Sequence, residues 1–194
     1  MSTKPCALIC GVPPALQREW GENLAKLIAR FRPAALVLYP PFDHAPGVIE
    51  AAKPVDLAVV LHRDAAAAKE LRADGVYLDA DQMEAAKARD ILGSGALIGA
   101  ASYLNRHDAM EKAESGADFI VFRAFDETSL LAAAELCAWW DELTQIPVAL
   151  ALRGPALPAD LFITSRPDFL FVDESATAGE SLTFATEFGL QSEV

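Results

Sequence analysis

The stretch "LRADGVYLDADQM" (Leu71–Met83) decides the fold. A polar Arg-Ala-Asp-Gly leads into a short apolar run. The run ends on two acids, Asp79 and Asp81, and a helical segment follows. The same word returns along the chain. "RADGVYL" (72–78) is echoed by "GADFIVF" (116–122) and "RPDFLFV" (166–172), and more loosely by "RPAALVLY" (32–39) and "PVDLAVVLH" (54–62). The first three begin 44 and then 50 residues apart, and each gap holds one further apolar run: "ALIGAAS" (96–102), then "PVALAL" (147–152). With "CALICGV" (6–12) there are eight short apolar runs.

Runs of this length, apolar on consecutive residues, fit strands buried on both faces, as in parallel sheets. Helical signals alternate with them. "PPALQREWGENLAKLIARF" opens on proline and carries apolar residues at helical spacing. "RDAAAAKELR" is rich in helix formers. "DADQMEAAKARDILG" ends on Gly93, a C-cap residue. "NRHDAMEKAESG" runs from an Asn105 N-cap to Gly116, and "DETSLLAAAELCAWWDELT" is long and amphipathic. Proline weakens the second helix (43–53) and the seventh (156–165). Eight strand–helix units predict a single, short (β/α)8 TIM barrel over 1–194, with a doubly wound open sheet as the competing architecture. No Pro/Gly/Ser-rich linker divides the chain.

In a barrel, Asp74, Asp118 and Asp168 fall in turns that enter strands, on the face concerned with stability. Asp79 and Asp81 follow a strand, on the face where barrels carry active sites.

Composition sets limits. The chain has 194 residues, 53% of them hydrophobic, and a formal net charge of −12 at pH 7. That charge argues against nucleic acid, whose phosphates need clustered Lys and Arg, and less strongly against an anionic membrane surface. Cys6, Cys10 and Cys137 are too few for a disulfide framework, and no further Cys/His pair completes a zinc site, so they read as core thiols. No apolar run approaches the roughly 18 residues of a membrane span, and the N-terminus lacks a signal-peptide pattern. The expected location is cytoplasmic.

"ADGVYLDADQM…AKARDILGSGALIGAAS…RHDAMEKAESGADFIVF" resembles the middle of the thiamine phosphate synthase / TenI family over about residues 56–125. There a strand A-D-G-V-H-L is followed by G-Q-x-D, a helix, a G-V-S strand end, another helix and G-A-D-Y-V. The resemblance implies a (β/α)8 barrel. For standard members it implies a transferase joining a hydroxymethylpyrimidine pyrophosphate to a thiazole phosphate, with Mg²⁺ on the pyrophosphate. The TenI branch is an isomerase of a thiazole phosphate.

Position by position, the chain departs from that pattern. Where the family has Asn-Asp after the third strand, this chain has His62-Arg63, with Asp64 one step later. The acid of G-Q-x-D is displaced, leaving Asp79 or Asp81. Ser102 matches the serine after the fifth strand. The Thr-x-x-Lys after the sixth becomes Arg123 with Thr128 and no Lys. The glycine-rich phosphate loop after the seventh shrinks to Arg153-Gly154 before Pro155, and Asp173-Glu174-Ser175 follows the eighth. A carboxylate ~4 Å from a bound phosphate costs about 1 kcal/mol in water and several-fold more in a sheltered cleft.

Each candidate has a plain alternative. His62 is a pyrimidine or phosphate contact, an acid/base, or a loop histidine. Arg63 lies beside it as an anion contact. Asp64, Asp79 and Asp81 hold Mg²⁺ weakly, or cap the helices behind them. Ser102 and Asn105 bind substrate or start the fifth helix. Arg123, projecting from a strand end, meets a ligand anion or joins an internal ion-pair network with Asp79 and Asp173. Arg153 is a further anion contact. His44 and His107 are solvated. Trp139-Trp140 packs on the outer layer of the barrel or at the interface of a homo-oligomer.

The expected function is a divergent thiamine phosphate synthase/TenI-like protein acting on or binding a thiazole phosphate or pyrimidine pyrophosphate, with Mg²⁺ as a weak cofactor or none. The alternative is a catalytically degenerate barrel that binds a small molecule or a protein.

Overall fold

The computed structural model describes residues 6–79, 84–152 and 159–172. Eight parallel strands close a barrel in the order β1 to β8: β1 Ala7–Val12, β2 Pro33–Leu38, β3 Ala58–His62, β4 Gly75–Leu78, β5 Leu97–Ser102, β6 Phe119–Arg123, β7 Val148–Leu152 and β8 Phe169–Val172. β8 pairs back to β1. Helices α1 Pro14–Phe31, α2 Ala45–Ala52, α3 Ala65–Leu71, α4 Ala85–Leu92, α5 Arg106–Glu114, α6 Glu127–Leu143 and α7 Ala159–Ser165 alternate with the strands. The expected (β/α)8 architecture is therefore present, and the open sheet is not. α2 and α7, the two proline-crowded segments, are short, at 8 and 7 residues.

Alternation along each strand splits the core in two. Ile9, Val37, Val60, Tyr77, Val121, Ala149 and Phe171 fill the barrel interior. Leu36, Leu61, Val76, Ile98, Phe122, Leu150 and their neighbours face the helices. Trp140 belongs to this outer layer. It is fully buried, its ring meets Phe122 edge-on, and its indole N–H donates to the Ile146 carbonyl. Trp139 lies beside it, under the Arg106 guanidinium. Cys10 and Cys137 are buried free thiols, and burial alone pushes Cys10 up to about 12.

The repeated Asp has a specific task. Asp74, Asp118 and Asp168 each clamp an even-numbered strand to the odd strand before it through two bonds. The Asp74 carboxylate accepts the Val59 N–H (2.7 Å) while its own N–H donates to the Val59 carbonyl (2.8 Å). Asp118 does the same to Ile98, and Asp168 to Val148. The residue two places earlier has a positive φ in each case: Arg72, Gly116 and Arg166. This left-handed step ends the helix and aims the chain into the next strand. The β1–β2 pair keeps the step at Arg32 but has Ala34 where the others have Asp. It is also the pair whose register shifts, between Leu8 and Ile9.

At the start of β4 the packing leaves no room for a side chain. A Cβ on Gly75 would sit 1.8 Å from the Leu97 carbonyl oxygen. This explains the glycine that follows Asp in the opening word.

An Asp74→Ala variant should lose about 1–3 kcal/mol of stability, the cost of an orphaned, part-buried N–H. Asp74→Asn, which keeps an acceptor oxygen, should lose clearly less. Urea unfolding of the three proteins checks this, and equal losses for Ala and Asn would contradict the clamp.

Candidate functional site

Strand parity also determines which side chains reach the C-terminal mouth. β2 carries Ala35, Val37 and Tyr39 inward; β3 Val60 and His62; β4 Tyr77 and then Asp79; β6 Phe119, Val121 and Arg123. The last inward residue of each series is polar or aromatic, and these residues converge.

Asp79 is their hub and is 5% exposed. Its Oδ1 accepts from Arg63 Nε. Its Oδ2 accepts from Arg123 Nη1 at 2.9 Å. His62 Nε2 lies 2.9 Å from Oδ1 in a bent approach, more an electrostatic contact than an aligned hydrogen bond. The Tyr103 hydroxyl donates to the Asp79 backbone carbonyl. The Tyr39 ring packs on His62 with centroids 4.3 Å apart, and His62 Nδ1 is buried with no hydrogen-bond partner among the described residues. Tyr103 and Phe125 stack at the rim, 5.4 Å apart, both partly exposed. One carboxylate thus ties together the ends of β3, β4 and β6.

The electrostatics follow from that geometry. Burial pushes the Asp79 carboxyl up, but the His62 and Arg63 contacts and their charges outweigh it and hold it at about 2. Arg63 is raised above its ordinary value, chiefly by its hydrogen bond to Asp79.

The other expected site residues divide. Asp64 caps α3, its carboxylate accepting the Ala67 N–H at 2.8 Å. Asn105 caps α5 through the N–H groups of His107 and Asp108. The Ser102 hydroxyl donates to the Asn105 carbonyl at 2.9 Å. For these three the structural reading accounts for the side-chain bonds. For Asp79 the capping reading does not hold, because α4 begins at Ala85 behind Glu84 and the carboxylate is committed to the mouth. Arg123 joins an ion-pair network with Asp79. Asp81, Arg153, Asp173 and Glu174 lie outside the described residues. His44 and His107 are exposed. Tyr39, Tyr77, Tyr103 and Phe125 were not picked out from the sequence. Tyr77 could have been, since it shares the parity of Asp79 two residues on.

Magnesium fits poorly among the described residues. It needs carboxylate oxygens free to coordinate. Both Asp79 oxygens already face cations, and Asp64 serves a helix. No group of three or more His, Cys, Asp or Glu among the described residues could hold a metal.

A cavity of about 650 Å³ opens at the opposite end of the barrel, where Lys53, Lys69 and Arg72 gather. Those cations stand at the C-terminal ends of α2 and α3, where positive charge complements the helix dipole. Their position is explained without a ligand.

Asp79 gives a pH signature. Its folded value is depressed, so its contribution to stability is complete above 3.8, the ordinary value, and is lost as pH falls toward about 2. That contribution is about 2 kcal/mol. Compared with wild type, Asp79→Asn should show a flatter stability profile between pH 5 and pH 2, measured by urea unfolding. Parallel profiles would contradict the assignment.

A family model described as thiamine monophosphate synthase matches residues 42–152. The thiamine-phosphate synthase of Erythrobacter litoralis (strain HTCC2594) is 35% identical over 144 residues, covering 70% of this chain and 67% of that protein. That of Hyphomonas neptunium (strain ATCC 15444) is 35% identical over 127 residues, covering 62% of this chain and 57% of that protein. The match thus spans roughly six-tenths to two-thirds of the length of these relatives. Among solved structures, thiamine phosphate pyrophosphorylase from Pyrococcus furiosus superposes with a TM-score of 0.74 at 17% identity, covering 95% of both chains. A tryptophan synthase structure from M. tuberculosis gives 0.70 at 13% identity, covering 96% of this chain and 92% of that one. At these identities the structural matches speak for the barrel alone. On the family model and the Erythrobacter relative, the chain belongs to the thiamine monophosphate synthase family.

Proposed function

We propose that this chain is a divergent thiamine phosphate synthase-like protein that binds a phosphorylated ring, a thiazole phosphate or a pyrimidine pyrophosphate, at the C-terminal mouth of its barrel. We further propose that it turns over the standard synthase reaction slowly. The observation that carries this reading is the pair of arginines around buried Asp79. Two guanidiniums meet one carboxylate there, and the Arg63 side chain is 40% exposed at the rim. A part-exposed guanidinium held along one edge offers its other edge to the oxygens of an anionic small molecule.

The expectation of slow turnover has its own basis. When the pyrophosphate leaves, negative charge builds on it, so catalysis needs cations and N–H donors aimed there beforehand. The matched positions after β3 and β6 hold His62-Arg63 and Arg123 in place of the family's Asn-Asp and Lys. Losing one such contact commonly costs about 3 kcal/mol, or ~100-fold in rate. In this reading Arg63 receives the anion, Asp79 and Tyr103 fix the walls, and the stacked Tyr103–Phe125 pair offers a flat apolar face to a ring. Among the described residues no helix is long and apolar enough to cross a membrane, and we propose a cytoplasmic location.

The test mixes purified protein, both substrates and Mg²⁺, and follows thiamine phosphate by fluorescence after oxidation. Rates well below 0.1 s⁻¹, under the slow end of ordinary enzymes at about 1 s⁻¹, are expected, together with a rise in melting temperature on adding either phosphorylated ring alone. Steady formation at 0.1 s⁻¹ or faster would restore the plain synthase. No thermal shift with either ligand would remove the proposed function.

A further inference from the structure

We propose that this site grips its phosphate or pyrophosphate directly through the guanidinium of Arg63, backed by Arg123, with no divalent cation between protein and anion; this rests on the reading that the mouth binds a phosphorylated ligand.

Three observations lead there. First, Asp79 is unavailable to a metal: Arg63 and His62 face one oxygen and Arg123 the other. A divalent ion entering would have to displace a guanidinium and sit beside two positive charges. Second, Arg63 is held as a receptor. Only its Nε is used, on Asp79. Among the described residues neither terminal nitrogen has a hydrogen-bond partner, and the side chain is 40% exposed where those of Asp79 and Arg123 are 7%. A guanidinium fixed along one edge presents the remaining fork, the geometry that binds phosphate oxygens in pairs.

Third, the backbone at Arg63 is strained. Its φ is +64°, and its N–H is tied to the Tyr77 carbonyl at 2.8 Å. Of the six non-glycine residues with positive φ among the described residues, four, Arg32, Asp56, Arg72 and Arg166, fall between a helical segment and the strand it feeds. Arg63 instead ends a strand, at the mouth. Strain of this kind is retained where it aims a side chain.

The probe is inorganic pyrophosphate, titrated calorimetrically into the full chain once in EDTA and once in excess Mg²⁺. Binding is expected in EDTA, changed less than about 3-fold by Mg²⁺. It should weaken at least 10-fold in Arg63→Gln and by an intermediate amount in Arg63→Lys, which restores charge without the fork. Circular dichroism melts confirm that the variants fold, as the exposure of Arg63 leads us to expect. Binding only in Mg²⁺ would overturn the inference and leave the proposed function standing. Binding in EDTA that survives Arg63→Gln would also overturn it, because the anion would then sit elsewhere. No binding in either buffer would overturn both.

Discussion

The mouth of this barrel depends on one buried carboxylate. Asp79 is withdrawn from water and must be compensated, and its partners come from separate strand ends: His62 and Arg63 from β3, Arg123 from β6. Removing the carboxylate would leave two guanidiniums close together at a sheltered rim. Removing an arginine would leave the carboxylate short of charge. The cluster is therefore interdependent. Buried ion networks are weak as sources of stability, since desolvation offsets much of their attraction. The placement of this one at a barrel's C-terminal rim, with a strongly perturbed carboxyl, points to function.

The opposite end of the barrel solves a different problem. Three aspartates at equivalent points, Asp74, Asp118 and Asp168, each satisfy a strand's first free N–H and fix the register of the strand they precede. Register fixes parity, and parity decides what reaches the mouth. A one-residue slip of β6 would turn Arg123 outward and Phe122 inward. The clamps at the base thus position the charges at the rim, although they lie at opposite ends of the strands.

This division explains what could be read in the sequence. The barrel was legible because a fold of repeated units writes itself repeatedly: the Arg-x-Asp and Gly-x-Asp words, the apolar runs and the glycine stops are local signals. Helix caps were legible for the same reason, as Asn105 and Gly93 show. Asp79 was legible as a candidate but ambiguous between metal ligand and cap. The residue that resolves the ambiguity, Arg123, lies 44 positions away. The aromatic pair Tyr103–Phe125 was missed because its members belong to different strand–helix units and meet only once the barrel closes. Long-range pairings of this kind leave no local pattern.

The central claim is that Asp79 is an ionised partner of arginines and not a metal ligand. Carbon-detected NMR of the Asp79 carboxyl, titrated with acid and then with Mg²⁺ at neutral pH, tests it most directly. The account predicts a carboxylate that stays ionised below pH 3, as expected for a group held at about 2, and a signal that does not move when Mg²⁺ is added. A midpoint at or above the ordinary value of 3.8, or a signal that shifts on adding Mg²⁺, would contradict it.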